Sequence, residues 1–269
     1  MIELHQLAAA IYLAAGLGSV LGLVLPAPRI SRGAVWGLLI GAVVHGAAFA
    51  TLHMLEPPPP LTALPAALSL TAWSSVIFLL FLMWRLRIPA VAAVVGPVAF
   101  LTVFLSSHRL PGSGLAAANA SPVISATGTW PHAHVLLASA GLALLGVAGL
   151  AGLFFLIEHR RLKSKRGLRR SAQLPSLEAL DRINVVALAI GFPLLTLGVV
   201  TGMFWLQAAT GSRFSGSHHE TWSAIAWTIY AGLALARFVA HQGARQAAAS
   251  AVAGFAFLVF AVVGIGMIE

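Results

Sequence analysis

Eight apolar stretches of about 20 residues or more follow one another along this chain, and that succession leaves few folds open. They lie near 6–25, 34–55, 64–86, 89–107, 132–157, 183–208, 219–240 and 247–268, with charged residues only towards their ends. A helix of about 20 apolar residues spans the roughly 30 Å of a bilayer's hydrocarbon. Hydrocarbon offers the backbone no hydrogen-bond partners, so each stretch has to be helical. A soluble domain carries about a quarter of its residues charged, whereas here 9% are charged and 59% are hydrophobic. The expected fold is all-α, a polytopic membrane helix bundle of about eight transmembrane helices, forming a single integral membrane domain over 1–269.

The breaks between the stretches are marked by residues that stop helices. Pro26-Ala27-Pro28 closes the first, and the run Pro57 to Pro60 has to be extended. Pro89 opens the fourth stretch, and Pro97 is placed to kink it. Two connections are longer: 108–131, rich in Gly, Ser, Ala and Pro, and the basic segment 158–182. The first stretch, Leu7 to Leu25, has no basic region before it and is followed by Arg29 and Arg32, which fits an uncleaved first helix better than a signal peptide.

Charge placement orients the bundle. The connections after stretches one, three, five and seven hold 14 of the 16 Lys and Arg residues, eight of them between Arg160 and Arg182. Only Arg109 and Arg213 lie on the other side. Basic loops stay in the cytoplasm, so both termini are expected outside it. The net charge of +9 is therefore an orientation signal with anionic lipid as its partner, and no nucleic acid is implied. The absence of cysteine excludes thiolate metal sites, disulfides and a cysteine nucleophile. Haem held by histidine stays possible, but any thiols for its covalent attachment have to come from a client protein.

On this topology His53, His108, His132, His134, His218 and His219 fall at or near the outer face, with His5 close to it, while His45 lies within the second stretch. A polar ring in or beside lipid needs a partner. His132 and His134 are two positions apart and take opposite helix faces, and His134 is the deeper. His218 and His219 sit about 100° apart, so one of them faces the bundle. One histidine from each loop makes a bis-imidazole pair suited to haem iron, with Trp130, Phe214 and Trp222 as flat apolar surface. Each has a plainer reading. His134 fits an interfacial ring bonded to a loop carbonyl, and one of His218 and His219 fits a helix cap. His45 fits a haem ligand, a proton relay, or a neutral ring bonded to Ser or Thr of a neighbouring helix. Glu220 fits either an orienting partner for a histidine or a charge favourable at the start of the seventh helix.

Several segments carry a family likeness. Leu38 to His45, Ala67 to Trp73 and Leu174 to Leu180 look like one branch, and Gly191 to Gly202 and Glu220 to Arg237 look like a whole superfamily. The chain resembles the cytochrome c assembly membrane proteins, the haem-handling group also called tryptophan-rich or WWD proteins, and within it the HemX-like branch of inner-membrane proteins. Trp130-x-x-x-His134-Val135 is similar to the stretch that holds an external haem-ligating histidine there. The WSWDPKETW-type segment before the seventh helix aligns with Phe214 to Trp222: the ETW end is kept, and the earlier tryptophans and the aspartate are replaced. The second external histidine of synthase-type members follows the last helix, where this chain has none. His218 falls where the HemX-like branch tends to carry a histidine.

The resemblance implies a haem-binding or haem-handling protein of cytochrome c assembly in the cell's inner (plasma) membrane. It would hold haem b near the outer face, with His134 and His218 on the iron and with His219, His45, Trp130 and Trp222 as further cofactor-binding candidates. Besides the lipid bilayer, its partners would be a cytochrome c assembly protein or an apocytochrome, and haem attachment would need such a partner. The alternative is a cofactor-free regulatory or accessory subunit acting on haem synthesis or respiratory-complex assembly. A transporter with His45 as proton relay ranks behind both, since no internal repeat supports it.

The orientation is directly testable because the chain has no native cysteine. Cysteine placed at Phe214 should react with a membrane-impermeant maleimide added to intact cells, and cysteine placed at Ser171 should react only after lysis. The reverse pattern would invert the topology.

Overall fold

The computed structural model describes residues 2–25, 28–54, 64–86, 92–108, 129–164 and 176–268. The four-proline run, Pro89, most of the 108–131 connection and the centre of the basic segment lie outside these residues. The described residues form eight α-helices: α1 (Ile2–Val24), α2 (Pro28–His53), α3 (Leu64–Leu86), α4 (Ala92–Ser107), α5 (Thr129–Lys163), α6 (Leu177–Thr210), α7 (His218–Phe238) and α8 (Ala244–Ile268). Six contain a segment long and apolar enough to cross a membrane: α1, α2, α3, α5, α6 and α8. The chain is thus a polytopic membrane helix bundle. Of the eight spans expected, the fourth and seventh fall short on these criteria. The apolar part of α4 covers only Val95–Ser107, and α7 carries two histidines, Glu220 and Arg237 within 21 residues.

Two helices overrun the expected spans. α5 has 35 residues and α6 has 34, roughly 50 Å each at 1.5 Å per residue. No Pro or Gly interrupts Ile157 to Lys163, and Arg160, Arg161 and Lys163 sit in the last turn of α5, where cations favour a helix C-terminus. At the start of α6, the Ser176 hydroxyl accepts from Ala179 N–H, and Glu178 occupies the first turn. Much of the 158–182 connection is therefore helix. α4 runs on through Pro97, whose ring occupies the space above Gly16 of α1.

The helices gather into two compact units, Met1–Ala126 and Thr127–Glu269. In the first, α1 packs on α2 and α4, and α3 packs on α4 and α2. In the second, α5 packs on α6 and α8, and α7 lies against α6 and α8. The core of the second unit is Leu145, Leu188, Leu195, Ala226, Tyr230 and Leu258.

Close packing at small residues holds each unit together, as expected where lipid removes the hydrophobic drive for helix association. A Cβ on Gly96 would lie 2.6 Å from Gly16 Cα, so α1 and α4 touch backbone to backbone. A Cβ on Gly141 would lie 2.6 Å from Leu195 N, which joins α5 to α6 in the same way. Gly232 of α7 faces open space. Gly141→Ala should therefore destabilise the protein by about 1–3 kcal/mol through overpacking, while Gly232→Ala should be neutral or stabilising by up to about 1 kcal/mol through helix propensity. Thermal unfolding in detergent separates the two. Equal effects would refute the packing assignment.

Candidate functional site

His134 occupies the second turn of α5, where it faces the end of α6. Its Nδ1–H donates to the Gly198 carbonyl at 2.7 Å. A carbonyl only accepts, so the proton sits on Nδ1 and the neutral ring carries its lone pair on Nε2. No described residue bonds that Nε2. The ring fits because α6 is bare beneath it: a Cβ on Gly202 would lie 2.8 Å from His134 Nδ1 and 3.0 Å from Cε1. Thr201 Oγ1 also donates to the Gly198 carbonyl, at 2.9 Å. His134 also stacks with Trp205, centroids 6.1 Å apart and planes 30° apart. The indole Nε1–H of Trp205 is buried and finds no acceptor among the described residues. His132, by contrast, is exposed.

Trp130 lies one turn earlier on α5 and packs on Phe204 of α6, centroids 5.1 Å apart. His219, at the start of α7, is close enough to His134 to interact with it electrostatically. Both His218 and His219 are exposed. Neither is spent as a helix cap. Ser217 is the N-cap, and its hydroxyl accepts from Glu220 N–H. Glu220 does not orient a histidine. Its carboxylate accepts from the Ser215 N–H at 2.7 Å, the Ser215 hydroxyl at 2.6 Å and the Gly216 N–H at 3.1 Å. The Ser-x-x-Glu spacing makes this a capping box shifted outward by one or two residues. It pins the loop that presents both histidines.

The remaining candidates stand elsewhere. Trp222 packs on α8, against Phe257 and Phe260 at 6.0 and 5.8 Å. His45 belongs to the other unit and is fully buried. Its Nε2 is 2.8 Å from Ser69 Oγ and its Nδ1 3.3 Å from Tyr12 Oη. Phe49 stacks on it at 5.1 Å, and the ring of His5 meets it edge-on at 5.4 Å. A neutral imidazole has one donor and one acceptor, and here both nitrogens are engaged within the unit. Among the described residues no group of three or more His, Cys, Asp or Glu side chains is placed to hold a metal ion by itself.

One end of the second unit therefore collects His134, Trp205, Trp130, Phe204 and His219. Reasoning from sequence overlooked Trp205 and the two glycines that seat His134. Their signal was present as Gly198-x-x-x-Gly202, a small-residue pattern at helical spacing, with Trp205 three residues on. The histidine that the pattern serves is 64 residues away.

Residues 61–269 match the model of the Cytochrome C assembly protein family. The chain is also similar to the "Cytochrome c biogenesis protein CcsA" of Prochlorococcus marinus (strain MIT 9303), 28% identical over 232 residues that cover 78% of this chain and 73% of that protein. The protein of the same description from Guillardia theta is 24% identical over 224 residues, covering 78% and 74%. That from Synechococcus sp. (strain CC9605) is 27% identical over 230 residues, covering 78% and 75%. The segment matched to the family contains the whole His134 site, whereas His45 precedes it.

Burial pushes the Glu220 carboxyl up, but hydrogen bonds from the Ser215 hydroxyl, the Ser215 and Gly216 N–H groups and Ser217 outweigh it and hold the group below its ordinary 4.5. Because the folded value is the lower one, the loop's stabilisation is complete above 4.5 and is lost as pH falls through the folded value. Amide-exchange protection factors at Ser215 and Gly216 should drop over that acid range. Glu220→Ala should remove the pH dependence. Protection that is flat with pH in the native chain would refute this role.

Proposed function

The chain belongs to the Cytochrome C assembly protein family, and from that premise we propose that it is a haem-handling protein of cytochrome c assembly in the cell's inner (plasma) membrane. In this reading it holds haem b at the outer end of the α5–α8 unit, and within the family it stands in the HemX-like branch. The single observation that carries the reading is the His134 seat. A metal-binding imidazole characteristically donates its other N–H to a carbonyl or carboxylate, which orients the ring and makes it more basic. His134 does this with the Gly198 carbonyl and keeps Nε2 for a ligand.

The residues around it fit a haem. Trp130 and Phe204 offer flat apolar surface, and Trp205 brings a buried N–H that lacks an acceptor among the described residues. A second imidazole for the iron would come from the start of α7. His219 is favoured over His218 because it is the one His134 senses electrostatically. Bound haem would supply iron for two imidazoles and a porphyrin that a client's thiols can capture. The chain's own part is to orient His134, shield one side of the ring system and present His219 on a loop fixed by Glu220. Having no cysteine, it depends on an apocytochrome or an assembly partner for attachment. His45, with both nitrogens engaged, would join a haem only by giving up Ser69 or Tyr12.

Protein purified from haem-replete cells should show a Soret band. His134→Ala should abolish it, and imidazole added to that variant should restore part of it. His219→Ala should weaken haem binding at least tenfold, while His218→Ala should leave it near native. Gly202→Ala, which crowds His134, should cost 10- to 100-fold, the range for loss of a ligand's supporting contacts. A native protein with no Soret band that co-purifies with a stoichiometric partner would favour the accessory-subunit reading instead.

A further inference from the structure

The carbonyl that orients His134 is shared. A regular helix brings the Gly202 N–H to the Gly198 carbonyl within α6, and the His134 Nδ1–H reaches the same oxygen from α5 at 2.7 Å. Thr201 adds a third donor. Its hydroxyl lies 2.8 Å from the Leu197 carbonyl and 2.9 Å from the Gly198 carbonyl. Thr196 on the same helix and Thr228 on α7 instead turn back onto the carbonyl four residues earlier, that of Phe192 and of Ala224. Thr201 has one proton and two acceptors within reach.

A carbonyl oxygen has two lone pairs. Three donors on one oxygen weaken one another, the reverse of the strengthening that runs along a chain of hydrogen bonds. The helices leave little room to relieve this by moving apart. A Cβ on Gly198 would lie 2.9 Å from Ala138 Cα, and one on Gly202 would lie 2.8 Å from His134 Nδ1, so α5 and α6 meet closely at both ends of this turn. The partner able to leave is the Thr201 hydroxyl, which keeps the Leu197 carbonyl when it turns away. We propose that Thr201 is a positioning residue for His134: by sharing the Gly198 carbonyl, its hydroxyl limits how strongly the imidazole N–H is held there, and so how strongly Nε2 donates to a metal.

The effect has a sign. An imidazole that gives its N–H to a stronger acceptor is a more basic ligand. A stronger electron-pair donor favours the more highly charged ferric ion, and hydrogen bonding to the axial ligand is one of the protein's levers on haem potential. Losing the Thr201 hydroxyl should therefore strengthen the His134 hydrogen bond and favour ferric iron. The hydrogen bond stands on the geometry alone, and its reach to the iron rests on the haem-handling reading above.

The test uses the full chain in detergent or nanodiscs, without and with haem. In haem-free protein labelled with ¹⁵N-histidine, Thr201→Val should move the Nδ1 proton of His134 downfield, the resonance being identified by its loss in His134→Ala. Thr201→Ser keeps the donor and should leave the proton in place. Thr228→Val, which removes a back-bonded hydroxyl on α7, should leave it in place too. With haem bound, Thr201→Val should raise the ferric-to-ferrous ratio at a fixed potential about two- to tenfold, a fall in midpoint of at most about 59 mV for one electron. A proton that stays put in Thr201→Val, or moves as far in Thr201→Ser, would overturn the proposal, and so would a midpoint that rises or does not change. A shifted proton in a chain that takes up no haem would sustain the role of Thr201 and overturn the haem reading alone.

Discussion

Everything in this protein follows from the poverty of its solvent. Hydrocarbon gives polar groups nothing to bond, so most of those inside the bundle are matched by another part of the chain, and one left over, such as the Trp205 N–H, carries a cost. The helices solve this for the backbone. The side chains solve it by turning back on their own helices or by reaching across to a neighbour. Thr71, Ser75, Thr196 and Thr228 donate to the carbonyl four residues earlier. Trp73 reaches the Ala42 carbonyl across α2 and α3, and Asn184 reaches Ala148 across α5 and α6. Interhelical bonds of this kind contribute about 0.6–2 kcal/mol each. They are modest in energy but strict in geometry, because each allows one relative placement of two helices.

The same constraint explains which parts of the fold were legible in the sequence. Runs of apolar residues between prolines and charges announce membrane helices with little ambiguity, and all eight helices appear where the apolar stretches lie. Their ends are another matter. Beyond the hydrocarbon the constraint lapses, and helix length is decided by local factors such as the Ser176 cap and the basic last turn of α5. Hydropathy does not register these, so the basic connection looked longer than it is. α7 shows the converse: it forms where an apolar stretch was expected and is started by a capping box, yet it is not apolar enough to stand among the six candidate spans.

The candidate site was half legible for a related reason. A histidine stands out in an apolar sequence, so His134, His218, His219 and His45 were all conspicuous. What distinguishes them is their partners, and those are remote in sequence. His45 finds Ser69 and Tyr12 and becomes part of a helix interface. His134 finds a carbonyl of α6, 64 residues on. Nothing at positions 132–135 records that Gly198 and Gly202 lie opposite, and nothing beside Trp205 records that its N–H will be buried without an acceptor among the described residues. The tryptophan at 222, by contrast, is drawn off to α8 by Phe257 and Phe260. The family likeness to a tryptophan-rich loop directs attention to residue 222, while the geometry directs it to residue 205.

His134 and His45 show how one residue type takes opposite roles in the same solvent. A neutral imidazole has one donor and one acceptor, and lipid will satisfy neither. When neighbours take up both, as Ser69 and Tyr12 do for His45, the ring is an internal tie, and using it as a ligand means breaking a buried bond. When only the donor is taken up, as Gly198 does for His134, the acceptor is left without a partner among the described residues. That arrangement is tolerable only at the bundle's end, where water or a ligand reaches it. The position of His134 in the second turn of α5, above two glycines and beside an exposed loop, meets that condition. The difference between a structural and a ligand-ready histidine here lies in the second nitrogen.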